Sequence, residues 1–362
     1  MKITVVGAGV VGCAVAHELA SRGAQVQIVD PRGAGHGATG ASAGILAPHI
    51  EGHSQALLRL GVCSMALWDD FLRRVQADAG QHVEYERSGT LQVAFNAAEA
   101  AVLIETAHRL EAAGVAHSVV DGREAMRLEP SLTDRVTTAL LVPSHGYVGP
   151  APLVEGLIKA GGRRGVSMVT ARARRVEDRG EAVLTTDDGV ICSDALVIAT
   201  GSWTGSLLDA SCANVVKPIR GQLLHLSLES RVAARVVWGA DCYVVPWADG
   251  TVLVGATVED VGFDETTTAE GIRGLLNAAI DVMPALGQAR FREARAGLRP
   301  KTSDELPAIG RSSTMPHVFY AVGHYRNGVL LAPITAALIA DLVLDGRERS
   351  ELSDVRPDRF GL

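Results

Sequence analysis

The first residues able to do chemistry are glycines. Gly7-Ala8-Gly9-Val10-Val11-Gly12 has the spacing G-x-G-x-x-G, directly after the run Ile3-Thr4-Val5-Val6 and directly before a segment of helical periodicity. In that context Gly7 permits a tight turn, Gly9 lets the backbone approach a pyrophosphate, and Gly12 lets helix and strand pack closely. The helix N-terminus then favours the phosphate charge. Asp30 closes the next apolar run, residues 25–30, where a carboxylate accepts hydrogen bonds from a ribose 2′-hydroxyl and disfavours the 2′-phosphate of NADP. Both NAD and FAD use such a turn. Two features favour FAD. A second glycine-ended run, Val197 to Gly201, follows far along the chain, and a long cofactor needs several segments to hold it. The small-residue loop Ala41-Ser42-Ala43-Gly44-Ile45 comes soon after Asp30 and suits contact with a large flat ring.

Such a site needs a parallel sheet under it. Residues 2–6, 10–22 and 25–30 form a strand, a helix and a strand, a βαβ unit whose parallel strands require the crossover helix. A loop is expected from Gly33 to Gly44, then a long amphipathic helix over 54–78, a strand over 89–95, and helices over 97–113, 123–128 and 150–160. Asp187-Asp188-Gly189 marks a hairpin turn. The continuous apolar run Ala195–Ala199 suits a parallel sheet covered on both faces. Residues 215–256 are strand-rich, at 222–228, 242–246 and 251–255, and predict one antiparallel sheet. A helix over 268–282, a strand over 318–323 and a helix over 329–344 complete the pattern.

The fold class expected is therefore α/β: a Rossmann-type cofactor domain assembled from residues 1–80, 146–205 and 297–362, and a second, substrate domain from 81–145 and 206–296 built on an antiparallel sheet. A length of 362 residues suits two domains sharing an interface. The composition, 47% hydrophobic and 21% charged, is that of an ordinary globular protein. A net charge of −7 argues against a nucleic-acid partner. The cysteines, Cys13, Cys63, Cys192, Cys212 and Cys242, are odd in number and contain no CxxC pair, which argues against a disulfide framework or a metal cluster and for a reducing compartment. Glu18 and Arg22 interrupt the apolar N-terminal stretch, and no other run reaches the roughly 18 apolar residues of a membrane span. A cytoplasmic homo-oligomer without metal or membrane partner is the expectation.

The chain resembles a known family. Residues 1–50 look like the FAD-binding start of the D-amino-acid oxidase superfamily. Gly323-His324-Tyr325-Arg326-Asn327-Gly328-Val329-Leu330-Leu331-Ala332-Pro333 is similar to bacterial glycine oxidases of thiamine thiazole synthesis. So are Ala296-Gly297-Leu298-Arg299-Pro300, Asp241-Cys242-Tyr243-Val244-Val245-Pro246, Gly255-Ala256-Thr257, Ile219-Arg220-Gly221-Gln222 and Ala199-Thr200-Gly201-Ser202-Trp203. These motifs occur in family order along nearly the whole chain.

The resemblance implies that Arg299 binds the substrate carboxylate, as a fixed guanidinium can do bidentately. It places the Tyr243 hydroxyl on the same carboxylate and Arg326 on the pocket wall. It implies non-covalent FAD, touched by Gly7, Gly9, Val11, Gly12, Asp30, Thr39, Ser42, Ala43, Gly44, Ile45, Ala173, Thr200, Gly201, Trp203, Arg299, His324, Tyr325, Arg326 and Asn327. Gly328, Val329 and Leu330 would begin the last helix and turn its amides to the ring. His324 is expected as a structural or flavin-loop residue rather than a base. No cysteine stands near the Arg299 loop in the sequence to offer a covalent flavin link.

The activity implied is oxidative deamination of a small amino acid (glycine, sarcosine or D-alanine) to an oxo acid and ammonia or amine, with O₂ reduced to H₂O₂. A flavin dehydrogenase using another electron acceptor, an NAD-dependent dehydrogenase and a non-catalytic dinucleotide-binding protein stay open as alternatives. Ile45, Asp241 and Val258 depart from the glycine oxidase pattern and put the preferred substrate in doubt.

Overall fold

The computed structural model describes residues 1–52, 54–208 and 212–362. Its centre is a six-stranded sheet in the spatial order Ala308–Arg311, Val318–Val322, Ala195–Ile198, Lys2–Val6, Gln25–Val29, Ser167–Val169. All pairings are parallel except that of the first two strands. The register follows the β-branched runs, with Val5 opposite both Val197 and Ile28. Alternation sorts the two faces. Ile3, Val5 and Val197 join a core with helices Val10–Ser21, Gln55–Ala79, Pro150–Arg163 and Ala332–Asp345. Val6, Leu196 and Ile198 point the other way, onto a small antiparallel sheet of Ala173–Asp178, Ala182–Thr186 and Gly189–Ser193. The sheet is thus covered on both faces as its apolar strands require, by helices on one face and a β-meander on the other. The hairpin turn falls at Asp187-Asp188, between paired Thr186 and Gly189.

The second sheet has eight strands. In space they run Arg290–Lys301, Lys217–Ser227, Thr251–Gly255, Tyr243–Pro246, Val236–Trp238, Thr90–Ala94, Thr138–Val142, Ser118–Asp121. It is larger than the 215–256 segment suggests, and one pairing, Val236–Trp238 with Thr90–Gln92, is parallel. Helix Ala269–Val282 seals one face through Leu275, Ala279 and Val282 against Leu224, Val244 and Val254. Its N-cap is Thr268, whose hydroxyl accepts from the Gly271 amide at 3.1 Å. The fold is α/β, Rossmann-type, with a second layer on a mostly antiparallel sheet. Among the described residues no helix is long and apolar enough to cross a membrane, and no His/Cys/Asp/Glu cluster is placed to hold a metal.

The last helix begins at Ala332, not at 329. Pro333 lacks an amide hydrogen and so belongs in a first turn, while residues 328–331 form turns closed by Leu331 N to Asn327 O (2.8 Å) and Ala332 N to Val329 O (3.2 Å). Gly328 and Val329 therefore lie in a turn rather than in the first turn of the helix. The Leu330 carbonyl points the other way, accepting from Ser64 Oγ (2.6 Å) and Trp68 Nε1 (3.0 Å) of the long helix.

An ion-pair network ties the first helix to the last. Asp341 is fully buried and accepts from Arg22 Nη1 and Arg347 Nη2, each at 2.6 Å. Burial alone would raise the Asp341 carboxyl; the two guanidiniums outweigh it and hold it below the usual aspartate range. Asp341→Ala is expected to cost about 2 kcal/mol, less than breaking a fully buried pair because Arg22 keeps 31% of its side chain exposed. Since the folded-state pKa is depressed, this contribution is complete above the ordinary aspartate range and fades as pH falls below it. Denaturant unfolding of both proteins should show a gap at neutral pH that narrows in acid; a gap independent of pH would contradict the assignment.

Candidate active site

Four strands of the parallel sheet end on one cleft of about 900 Å³: Gly7 follows the first, Asp30 the second, Ala199 and Thr200 the third, and Gly323 the fourth. Because Lys2–Val6 lies between the strand it feeds and the much later Ala195–Ile198, the chain diverges there and leaves a crevice at the carboxyl ends, where doubly wound sheets take ligands. Gly7 has φ +108°, and a Cβ on it would lie 2.4 Å from the Ala199 carbonyl oxygen. Thr39 Oγ1 accepts from the Val10 amide at 3.1 Å. The Asp30 carboxylate accepts from the amides of Ala8 (2.9 Å), Arg32 (2.7 Å) and Gly33 (3.0 Å), which fixes it on the cleft wall. Arg32 stacks over Trp203 at 4.2 Å and pairs with Glu265 at 2.8 Å, joining the floor to the roof at the rim. A backbone-lined turn, a fixed carboxylate, an aromatic wall and a long cleft fit a flavin dinucleotide.

The roof is made by the second sheet. Strand Arg290–Lys301 pairs with Lys217–Ser227, setting Arg299 opposite Ile219 and Gly297 opposite Gly221. Arg299 occupies a notch that exists because Gly221 has no side chain: a Cβ there would come within 2.2 Å of the guanidinium. Its Nη1 donates to the Thr257 carbonyl at 2.8 Å. Thr257 is itself held. Its hydroxyl accepts from the Gln222 amide (2.8 Å) and donates to Glu259 Oε1 (2.5 Å). Glu259 and Asp264 both pair with the buried Arg220 at 2.5 Å. Tyr243 pairs with Gly255 across the sheet, and a Cβ on Gly255 would lie 2.4 Å from the tyrosine hydroxyl. Burial pushes the Tyr243 phenol above its ordinary range, against the pull of Arg299, so it stays a hydrogen-bond donor.

The loop after Val318–Val322 closes the far wall. His324 donates to or accepts from Thr335 Oγ1 at 3.0 Å, and burial pushes its imidazole down to about 3, which removes it as a proton carrier near neutrality. Tyr325 has φ +48° and its amide donates to the Pro300 carbonyl at 2.8 Å, binding this loop to the Arg299 strand. Arg326 reaches Glu51 Oε2 with Nε at 3.7 Å.

Most of the residues singled out from the sequence share this one cleft. Gly7, Gly9, Val11, Asp30 and Thr39 line it with Ser42, Ala43, Gly44 and Ile45; Ala173, Thr200, Gly201 and Trp203 flank them; Tyr243, Arg299, His324, Tyr325, Arg326, Asn327, Gly328 and Val329 complete it. Ile45, Asp241 and Val258 line it too. Gly12 and Leu330 do not. Gly12 faces the Gly7 carbonyl, where a Cβ would stand 2.0 Å from the oxygen, so it closes the helix onto the turn. Cys242, part of the quoted motif around Tyr243, also lines the cleft. Burial pushes its thiol up to about 12, far from a reactive thiolate. Glu51, Arg32 and Trp238 line the cleft without having been singled out, and the Arg220–Glu259 brace joins positions 39 residues apart with no local signal.

Comparison with known proteins agrees with this geometry. A family model described as FAD dependent oxidoreductase, designated DAO, matches residues 2–342. The bifunctional protein ThiO/ThiG of Synechocystis sp. is 32% identical over 99% of this chain, and the chain spans 54% of its length, about half of that relative. Glycine oxidase of Geobacillus kaustophilus is 31% identical over 98% of this chain and 95% of its own. The crystal structure of glycine oxidase from Geobacillus kaustophilus superimposes with a TM-score of 0.93 at 29% identity, covering 98% of each chain. The chain belongs to the DAO family of FAD-dependent oxidoreductases.

Proposed function

We propose that the protein is a FAD-dependent oxidase of a small amino acid such as glycine, sarcosine or D-alanine, with the flavin bound non-covalently. The observation that carries this is the position of one guanidinium: Arg299, seated in the Gly221 notch and braced by the Thr257 carbonyl, faces the same cleft as the dinucleotide cradle and the Tyr243 hydroxyl. Residues 1–80, 146–205 and 297–362 would hold the cofactor, and 81–145 and 206–296 would roof the substrate. The reading of non-covalent binding is supported by Cys242, the one described cysteine on the cleft, being held as a buried thiol.

The bound flavin supplies the two-electron acceptor. The chain supplies grip and exclusion of water. Arg299 and Tyr243 take the two oxygens of the substrate carboxylate, which leaves the α-carbon little freedom; orientation of this kind lowers a barrier by several kcal/mol, roughly 7 to 11 at best. A desolvated wall favours the neutral amine, whose lone pair assists loss of hydride from the α-carbon. The imine formed takes up water and releases ammonia, or an amine from sarcosine, and an oxo acid. With O₂ as final acceptor the electron pair leaves as H₂O₂. Ile45, Asp241 and Val258 set the room beyond the α-carbon.

Two outcomes test the reading. Arg299→Ala should raise KM for glycine and sarcosine about a hundredfold, the equivalent of about 3 kcal/mol in charge-assisted hydrogen bonds, while the protein keeps its yellow flavin spectrum. Gly221→Ala drives a methyl group into the guanidinium and should raise KM at least about tenfold with the same FAD content. Steady-state rates from peroxide release, with a dye as alternative acceptor, report both. Unaltered KM values would remove the carboxylate anchor, and dye reduction without peroxide would make the enzyme a dehydrogenase.

A further inference from the structure

One group in the cleft is left without a use by this mechanism. Glu51 ends the short helix Pro48–Glu51 and lines the cleft, with 12% of its side chain exposed. Its Oε2 is buried and accepts no hydrogen bond from any described residue. The nearest cation, Arg326 Nε, is 3.7 Å away, beyond hydrogen-bonding reach. Glu51, Arg299, Arg326 and Tyr243 all line this cleft, and the charges of the first three act on the Tyr243 phenol. A buried carboxylate oxygen without a donor is costly, and native sites keep such atoms where a ligand satisfies them.

Arg299 and Tyr243, themselves in contact, form one side and offer N–H and O–H; Glu51 offers acceptor oxygens, with the Arg326 guanidinium 3.7 Å from Oε2. An α-amino acid carries the complement in one molecule, a carboxylate that accepts and, one carbon away, an ammonium with three N–H donors. A simple carboxylic acid satisfies the first side and leaves Glu51 orphaned. Sites built to pair a polar group reject the analogue lacking it, because their own groups then stay unpaired.

We propose that Glu51 is the amine-recognition residue: its Oε2 accepts from the substrate ammonium on binding while Arg299 and Tyr243 hold the carboxylate, so that the cleft selects zwitterions over plain carboxylates; the ammonium then gives one proton to solvent water, and the neutral amine needed for hydride loss keeps an N–H on Oε2. The assignment rests on the carboxylate anchor of the preceding section. Arg326 offsets part of the Glu51 charge between turnovers.

The test uses the flavin-loaded protein and two ligands that differ only in the amine, 2-aminoisobutyrate and isobutyrate. Neither can be oxidised as an amino acid, the first because it has no α-hydrogen and the second because it has no amine. Dissociation constants come from perturbation of the visible flavin spectrum. The wild type should bind 2-aminoisobutyrate more tightly. Glu51→Gln should cut that preference at least about tenfold by weakening 2-aminoisobutyrate alone, and Glu51→Asp should restore part of it. Equal weakening of both ligands would show a merely structural role. Tighter isobutyrate with unchanged 2-aminoisobutyrate would show that Glu51 only neutralises Arg326. Either result overturns the proposal, as does a wild type without preference or without binding. Arg299→Ala separates the two readings: if it leaves isobutyrate binding intact, the anchor fails, whereas the Glu51 ratio is read independently of it.

Discussion

A charged side chain held against a glycine is the contact on which the rest of this molecule turns. Arg299 fits because position 221 carries no side chain, and it faces the cleft because its other side is tied to the Thr257 carbonyl. That carbonyl is fixed by Gln222 and Glu259, and Glu259 by the buried Arg220. Arg220, Gly221 and Gln222 are consecutive on one strand. The neighbours of the glycine notch therefore brace the group that the notch admits. A buried guanidinium between two carboxylates is seldom a stability gain over apolar packing, so its value here lies in geometry: it locks residues 257–264 to the roof.

The cofactor side obeys a different constraint. Parallel strands present their carboxyl ends together, and the first strand sits where the chain diverges, so the glycine turn, Asp30, Thr200 and Gly323 converge without any sequence proximity. The roof sheet then has to bring Tyr243 and Arg299 over that line. Tyr243 comes on the short strand Tyr243–Pro246 and Arg299 on the long strand Arg290–Lys301, whose final residues reach the His324 loop by a bridge at Lys301 and by the Tyr325 amide on Pro300. The proposed substrate anchor and the loop proposed to meet the flavin are in this way joined as one strand and its nearest neighbour.

The βαβ start was legible because its signals are local: spacing of glycines, alternation of β-branched residues, and an acid at the end of the second strand. The same holds for the hairpin at Asp187-Asp188 and the buried run from Ala195. The site residues of the roof were legible only through likeness to a family. Nothing in the neighbourhood of Arg299 says which glycine will face it, since the pairing with Lys217–Ser227 decides that. The strand Arg290–Lys301 escaped notice because its first half, Arg290-Phe291-Arg292-Glu293, is exposed and carries no apolar alternation. The start of the last helix was misplaced because Gly328 and Val329 continue a helical turn, and Pro333 sets the true first turn later. Glu51 reached the cleft through tertiary contacts that no spacing encodes.

The order of strands in the central sheet has a consequence for biosynthesis. Residues near 5, 197 and 320 are side-by-side neighbours, so no early stretch of the chain can complete the nucleotide platform. A ribosome must deliver nearly all of the polypeptide before Ala195–Ile198 gains its outer neighbour, and a copy stopped before residue 318 lacks the 321–329 wall of the cleft. The nascent chain can pair Val5 with Ile28 early and with Val197 at mid-length, but Val197 lacks its outer neighbour Phe319 until the last strands emerge, and a vitamin-derived cofactor would meet a complete platform only then.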